Sequence, residues 1–206
     1  MFDTLTGFLG SLNWIECLGV LAGVLGVWLS IKERILTWPT FIISYSAYVY
    51  LAYHADLFAN MTLNLVFIVI SIYGWRHWIK DKHADEANST KIRHTTKRIW
   101  VRSLFASALG TVIIGTILNN FTHSFLPYWD AFATCTAFTA QWMLSRKYIG
   151  TWLCWLISDS VLINLWFLQG YTLTVILFAT FMALAIWGWI EWKKILDLSI
   201  KKRVNS

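Results

Sequence analysis

Residues 151–171 read TWLCWLISDSVLINLWFLQGY, an apolar run that nonetheless holds Trp152, Trp155, Asp159 and Asn164. About 20 mostly apolar residues make a helix long enough to cross a bilayer, and this stretch has that length. A carboxylate near the middle of such a span costs roughly 2.5–3.5 kcal/mol on insertion scales, so Asp159 needs a compensating role. The stretch therefore decides the class: a membrane helix with a polar task inside it.

The rest of the chain agrees. Of its 206 residues 57% are hydrophobic and 14% charged, against about 25% charged in soluble domains. Fourteen tryptophans and eight tyrosines suit a protein whose amphipathic rings gather at the two water interfaces and line binding sites. The net charge of +6 raises the question of nucleic acid. The basic residues lie between apolar spans and form no patch on a soluble face, so no nucleic-acid partner is expected. Cys17, Cys135 and Cys154 fall inside apolar segments without metal-ligand spacing, which reads as small buried hydrophobes with no metal and no disulfide framework. Residues 1–13, MFDTLTGFLGSLN, lack the basic start and small-residue cleavage site of a leader, so none is expected to be removed. They are expected to form a short surface helix or nothing ordered.

Seven segments have the length and character of spans: Trp14–Ile31, Ile35–Tyr53, Leu57–Trp78, Leu104–Phe121, Tyr128–Ser145, Trp152–Leu168 and Thr172–Trp192. The expected fold is an all-α membrane protein of seven transmembrane helices in one domain, 1–206. One connection is long, Ile79–Ser103, and it carries the mixed-charge run KDKHADEANSTKIRHTTKR. With these spans, all 17 Lys and Arg residues fall on one side. That side is expected to be cytoplasmic, which places the N-terminus outside and the C-terminus inside.

The chain also matches itself without gaps at an offset of 114 residues. Thr37-Trp38 falls on Thr151-Trp152, Ser44 on Ser158, Glu16 on Asp130, and the GWxxW of 74–78 on that of 188–192. Repeat one (14–79) and repeat two (128–193) then flank a linker loop and fourth helix (80–127). The copies begin four helices apart, so both enter the membrane in the same direction. This 3+1+3 arrangement of parallel repeats is that of the SWEET carriers, with a solute expected between the repeats near mid-depth.

Polar residues within the spans are the candidate solute contacts. Trp152, Trp155 and Asp159 are spaced 3 and 4 apart and share one helical face. Two aromatic rings with a carboxylate one turn further on suit a flat cation, held by cation–π attraction and charge. The competing readings are an interface anchor for Trp152 and a charge partner elsewhere in the bundle for Asp159. From span 3, Asn60, Asn64 and Tyr73 are placed to line the same cavity; Gln141 and Asn164 are further candidates. Each of these amides has an interhelical hydrogen bond as its alternative. Glu16 and Asp130, as counterparts near the outer boundary, are expected to be structural or gating residues. No phosphate loop, GxSxG or HExxH occurs, so neither an enzyme nor an ATP-driven pump is indicated, and no cofactor is called for.

WLCWLISD at 152–159, NLVFIVISIYGWRHW at 64–78, YWD at 128–130 and SRKYIGTW at 145–152 together resemble the PnuC family of bacterial vitamin carriers, over nearly the whole of 14–192. The resemblance implies uptake of nicotinamide riboside across the inner membrane by facilitated diffusion. Alternating access, trapping of the product by cytosolic phosphorylation, a SWEET-like repeat design and a homo-oligomer, a trimer by the same resemblance, are implied with it. The family pattern for this solute is WxxWxxxN with a Gln on span 3. Trp152 and Trp155 match it, whereas Asp159 stands for the Asn and Asn64 for the Gln. Relatives carry thiamine, riboflavin or deoxynucleosides, and an Asp suits the cationic ring of either nicotinamide riboside or thiamine. A proton-coupled carrier using Asp159 or Asp130 is a second reading. A seven-helix sensor or scaffold that uses the basic linker is a third.

Overall fold

The computed structural model describes residues 14–55, 57–83, 91–122 and 125–204, all of them helical or in short connections apart from one isolated bridge. The segment 1–13, expected to be a surface helix or unordered, lies outside the described residues, as does 84–90 of the linker. Seven helices follow in order: α1 (Trp14–Ile31), α2 (Thr37–His54), α3 (Phe58–His83), α4 (Lys97–Phe121), α5 (Pro127–Ser145), α6 (Gly150–Leu168) and α7 (Thr172–Val204).

Three of these outrun the sequence expectation. The α3 helix continues to His83 and α4 starts at Lys97, which shortens the long connection from both sides. The early start of α4 is explained by Ile99 and Trp100, which pack against Ala140, Met143 and Cys154. The α7 helix runs past Trp192 because Leu196, one turn on, stays buried while Lys193 and Lys194 face outward.

Four helices, α1, α4, α6 and the Thr172–Ser199 part of α7, are long and apolar enough to cross a membrane by length and composition. The other three, α2, α3 and α5, are less apolar because they carry tyrosines, asparagines, threonines and Asp130. Many of those residues face an internal cavity. Large apolar side chains on the outer surface, such as Leu104, Phe105 and Val112 of α4 at 64%, 70% and 60% exposure, need an apolar solvent. The bundle is a multi-pass membrane protein.

Contacts between helices form a closed ring: α1 with α2, α2 with α3, α3 with α5, α5 with α6, α6 with α7, and α7 back to α1. The α4 helix stands outside this ring, packed on α5. Small residues let the two backbones approach, as membrane helices without a hydrophobic driving force require. Gly115 lies beneath Tyr128, Gly110 beneath Cys135, and Ser107 meets the Thr139 hydroxyl at 2.8 Å.

Several contacts recur 114 residues apart. Trp38 packs over Gly74 and meets Trp78 edge-on at 5.3 Å; Trp152 packs over Gly188 and meets Trp192 edge-on at 5.3 Å. The Ser44 hydroxyl donates to the Gly19 carbonyl at 2.7 Å, and that of Ser158 to the Ala133 carbonyl at 2.9 Å. The ring is stitched crosswise at the end that holds the α1–α2 and α5–α6 turns. There the Trp78 indole donates to the Ser145 carbonyl and the Trp192 indole to the Ile31 carbonyl, each at 3.2 Å. Glu33 and Lys147, one in each turn, both have positive φ and form an ion pair.

Part of the linker docks on the same end. Arg93 pairs with the α5–α6 turn through backbone bonds to Lys147 and Ile149, both 3.1 Å, and its guanidinium lies over the Tyr148 ring. Thr95 accepts the Gly150 amide at 2.8 Å.

Candidate functional site

The ring of six helices encloses a cavity of about 300 Å³, at the lower end of the range for small-molecule sites. Each helix presents one stripe to it at helical spacing. From α6 come Trp155, Asp159, Leu162 and Trp166; from α3, Asn60, Leu63, Asn64 and Phe67; from α5, Asp130, Ala133, Thr134 and Ala137. The α2 helix adds Phe41, Ser44, Tyr45 and Tyr48, and α7 adds Phe178 and Phe181. On α1 the wall consists of small residues, including Gly19 and Gly23, which allow α2 to approach closely. No residue of α4 and no Lys, Arg or His lines the cavity among the described residues.

Asp159 is the most deeply placed charge on this wall. It is 2% exposed, and no hydrogen bond or ion pair joins it to a described residue. Trp155, one turn before it, is half-buried on the same wall. On the α3 part of the wall stand Asn60 and Asn64, whose amides are already joined: Asn64 Nδ2 donates to the Asn60 backbone carbonyl at 2.9 Å and to its Oδ1 at 3.0 Å. This pair leaves the Asn64 oxygen and the Asn60 NH2 available to a solute.

Trp152 occupies a different environment from the one its spacing suggests. It borders the cavity but is 1% exposed, with its ring clamped between Gly188 and the edge of Trp192. Burial also excludes the interface-anchor alternative. Trp152 and Trp155 both border the cavity, and at offset 114 they correspond to Trp38 and Phe41, whose centroids are 6.3 Å apart.

Three further expected contacts lie elsewhere. Tyr73 is exposed near the turns and lies under the Arg146 guanidinium, 5.3 Å from its centroid. Gln141 is fully buried and donates to the Ser71 hydroxyl at 3.2 Å, tying α5 to α3. Asn164 is exposed and donates to the Ser160 carbonyl one turn back. For Gln141 the interhelical alternative describes the structure; Tyr73 and Asn164 sit on helix faces turned away from the cavity. The expectation that Glu16 and Asp130 share a structural role separates in the same way: Asp130 borders the cavity, while Glu16 is exposed outside its lining.

Sequence reasoning passed over the aromatic side of the cavity. Tyr45 stacks between Phe41 and Phe67, with centroids 5.9 and 4.9 Å away. Trp166, two turns beyond Asp159, also lines the cavity, and its indole nitrogen is buried without a partner. The signal for Trp166 was present in the 155–159–162–166 spacing, and Tyr45 is the residue at offset 114 from Asp159.

Comparisons with known proteins bring out transporters. The chain is 25% identical over 182 residues to the riboflavin/roseoflavin transporter RibM of Streptomyces davaonensis, covering 87% of this chain and 84% of that protein. It is 27% identical over 205 residues to the nicotinamide riboside transporter PnuC of Escherichia coli, covering 84% of this chain and 83% of that protein. The crystal structure of the vitamin B3 transporter PnuC superposes with a TM-score of 0.74, covering 95% of this chain and 87% of that one at 23% identity, which establishes a shared fold. The family pattern described as nicotinamide mononucleotide transporter matches residues 13–194, so the chain belongs to this family, that of the PnuC transporters.

Proposed function

We propose that this protein is an inner-membrane carrier for nicotinamide riboside, or for a vitamin whose ring likewise carries a positive charge. The observation that carries this reading is Asp159, buried and unpaired one turn from Trp155 in a cavity wall without Lys, Arg or His among the described residues. A buried charge requires a partner, and a cationic ring lying against Trp155 supplies one while gaining cation–π attraction. Asn60 and Asn64 face the polar periphery of such a solute, and Trp152 supports the floor. A phosphorylated solute would meet carboxylates and no base, which favours the riboside over its phosphate.

The carrier works by facilitated diffusion with alternating access. The two halves, 14–79 and 128–193, act as SWEET-like parallel repeats that rock about the cavity, with α4 as their connector and cytosolic phosphorylation trapping the product. The contacts that recur at 114 residues support this 3+1+3 reading, with seven spans. The basic turns mark the cytoplasmic end, the N-terminus lies outside, and the carrier assembles as a homo-oligomer.

Thiamine is the second reading. Asp159 stands where the riboside motif has Asn, and a carboxylate serves a thiazolium as well as a pyridinium. The sensor or scaffold reading is disfavoured because Arg93 of the linker is engaged by the α5–α6 turn. Binding of nicotinamide riboside, thiamine and riboflavin to purified protein, followed by uptake into proteoliposomes, tests the proposal. Preference for the cations over riboflavin supports it; absence of binding by every cation refutes it.

A further inference from the structure

The α4 helix, which stands outside the ring, has two unlike sides. Its buried stripe, Ser103, Ser107, Gly115 and Leu118, belongs to the side packed on α5. On the other side Arg98, Arg102, Phe105, Leu109 and Val112 recur at intervals of 4, 3, 4 and 3 residues, and all five are exposed. That spacing makes them one lane along the helix. The lane is cationic at its start and apolar from Phe105 to Val112. From Arg102 to Val112 the axis rises about 15 Å, which is also the depth of about one leaflet of the hydrocarbon core.

Charge on this helix has a single sign. Lys97, Arg98 and Arg102 are accompanied by no Asp or Glu anywhere in α4, and no ion pair joins them to a described residue. They do not serve the helix either. Lys97 and Arg98 occupy its first turn, at the positive end of the helix dipole, where an acid is the stabilising choice. The basic stretch of α7 differs: Lys193 and Lys194 lie between Glu191 and Asp197. Ile99 and Trp100 pack on Ala140, Met143 and Cys154, so the backbone that carries Arg98 and Arg102 is anchored on the bundle.

We infer that this lane is a binding site for an anionic phospholipid of the leaflet on the side of the basic turns. Arg98 and Arg102 take the headgroup phosphate, which planar guanidinium groups match with paired hydrogen bonds. An acyl chain lies along Phe105, Leu109 and Val112. A second copy of the chain fits this face less well, because its own α4 brings no acid and the contact would bury unpaired cations. A free phosphate would engage the arginines and leave the apolar part of the lane unused. The site depends neither on the identity of the solute nor on how it crosses.

The test titrates the full-length protein in detergent with phosphatidylglycerol, with phosphatidylcholine and inorganic phosphate as comparison probes. Native mass spectrometry reads the lipid retained, and thermal melting reads the stabilisation that binding to the folded state confers. Phosphatidylglycerol is expected to be retained and to raise the melting temperature, and the two comparison probes to do neither. Arg98→Gln combined with Arg102→Gln is expected to weaken it roughly 10- to 30-fold. Phe105→Ser with Leu109→Ser is expected to weaken it with both charges in place, whereas Lys193→Gln with Lys194→Gln leaves it unchanged. Equal retention of the two lipids, or unchanged affinity after loss of both arginines, overturns the site. Equal loss on removing Lys193 and Lys194 also overturns it, by showing a diffuse charge effect. Stabilisation by inorganic phosphate to the same extent assigns the arginines to a free anion and overturns the lipid. Efficient disulfide formation between Phe105→Cys copies in membranes gives the face to a second copy and overturns it as well.

Discussion

The Lys147 ammonium lies 3.1 Å from Glu33 Oε2, and both residues hold a left-handed backbone, with φ of 54° and 51°. Each sits in the turn between two helices of its own half, so the pair bridges the halves at the end where the indoles of Trp78 and Trp192 also cross. Both side chains are largely shielded, at 14% and 27% exposure, and Lys147 also stands 4.9 Å from the Trp78 ring centroid. A double-mutant cycle with Glu33→Gln and Lys147→Gln is expected to give a coupling of about 1 kcal/mol in thermal unfolding in detergent. The swapped pair, Glu33→Lys with Lys147→Glu, should recover part of the loss. Additive single effects would show that the pair does not join the halves.

The indole hydrogen bonds can be separated from the packing of the rings. Trp78 donates to the Ser145 carbonyl, whereas the nitrogen of its neighbour Trp38 is buried without a partner. Trp78→Phe is expected to destabilise by about 1–3 kcal/mol more than Trp38→Phe, because it leaves a buried carbonyl unsatisfied and Trp38→Phe does not. Equal losses of melting temperature would assign both rings to packing alone.

Gly74 and Gly188 are held to their size by the tryptophans above them. A Cβ at Gly188 would lie 2.6 Å from the Trp152 ring, and one at Gly74 would collide with Trp38. Either Gly→Ala change is expected to cost about 1–3 kcal/mol by overpacking. Only Gly188→Ala displaces a ring that borders the cavity, so ligand affinity should fall in that variant and hold in Gly74→Ala. Calorimetry beside thermal melts distinguishes the two effects.

Trp155→Ala removes the half-buried ring of the proposed site. Loss of a desolvated cation–π contact of about 0.5–2 kcal/mol corresponds to roughly a 2- to 30-fold weaker affinity for nicotinamide riboside and for thiamine alike. Unchanged affinity for both would move the solute away from α6.

Much of this architecture was legible in the sequence because helices in lipid must be long and apolar, and because paired features at one fixed offset survive without alignment. The helix starts at Trp14 and Thr172 agree with the expected spans. Less apolar α2, α3 and α5 are not marked by hydropathy, since the tyrosines, amides and threonines that build the cavity lower it. Within the site, the 3 and 4 spacing located Trp155 and Asp159 on the cavity wall. The same spacing could not distinguish a ring that faces a void from one clamped under glycine, which is why Trp152 proved a floor and not a platform. Tyr73, Gln141 and Asn164 lie outside the cavity lining for a related reason: a polar residue in a span reports a need for a polar partner, which Gln141 and Asn164 find in hydrogen bonds to Ser71 and Ser160 and the Tyr73 ring in the Arg146 guanidinium.

The crossed indoles carry a lesson about assembly. Ile31 and Ser145 each end a helix, and the last carbonyl of α1 accepts from Trp192 of α7 while that of α5 accepts from Trp78 of α3. The α1–α2 turn is closed locally by the Glu33 and Arg34 amides, at 3.1 and 3.0 Å, whereas the Ile31 carbonyl takes its donor from Trp192, near the far end of the chain. Two separately expressed fragments, 14–83 and 97–204, are therefore expected to associate, each supplying the indole that meets a helix-end carbonyl of the other.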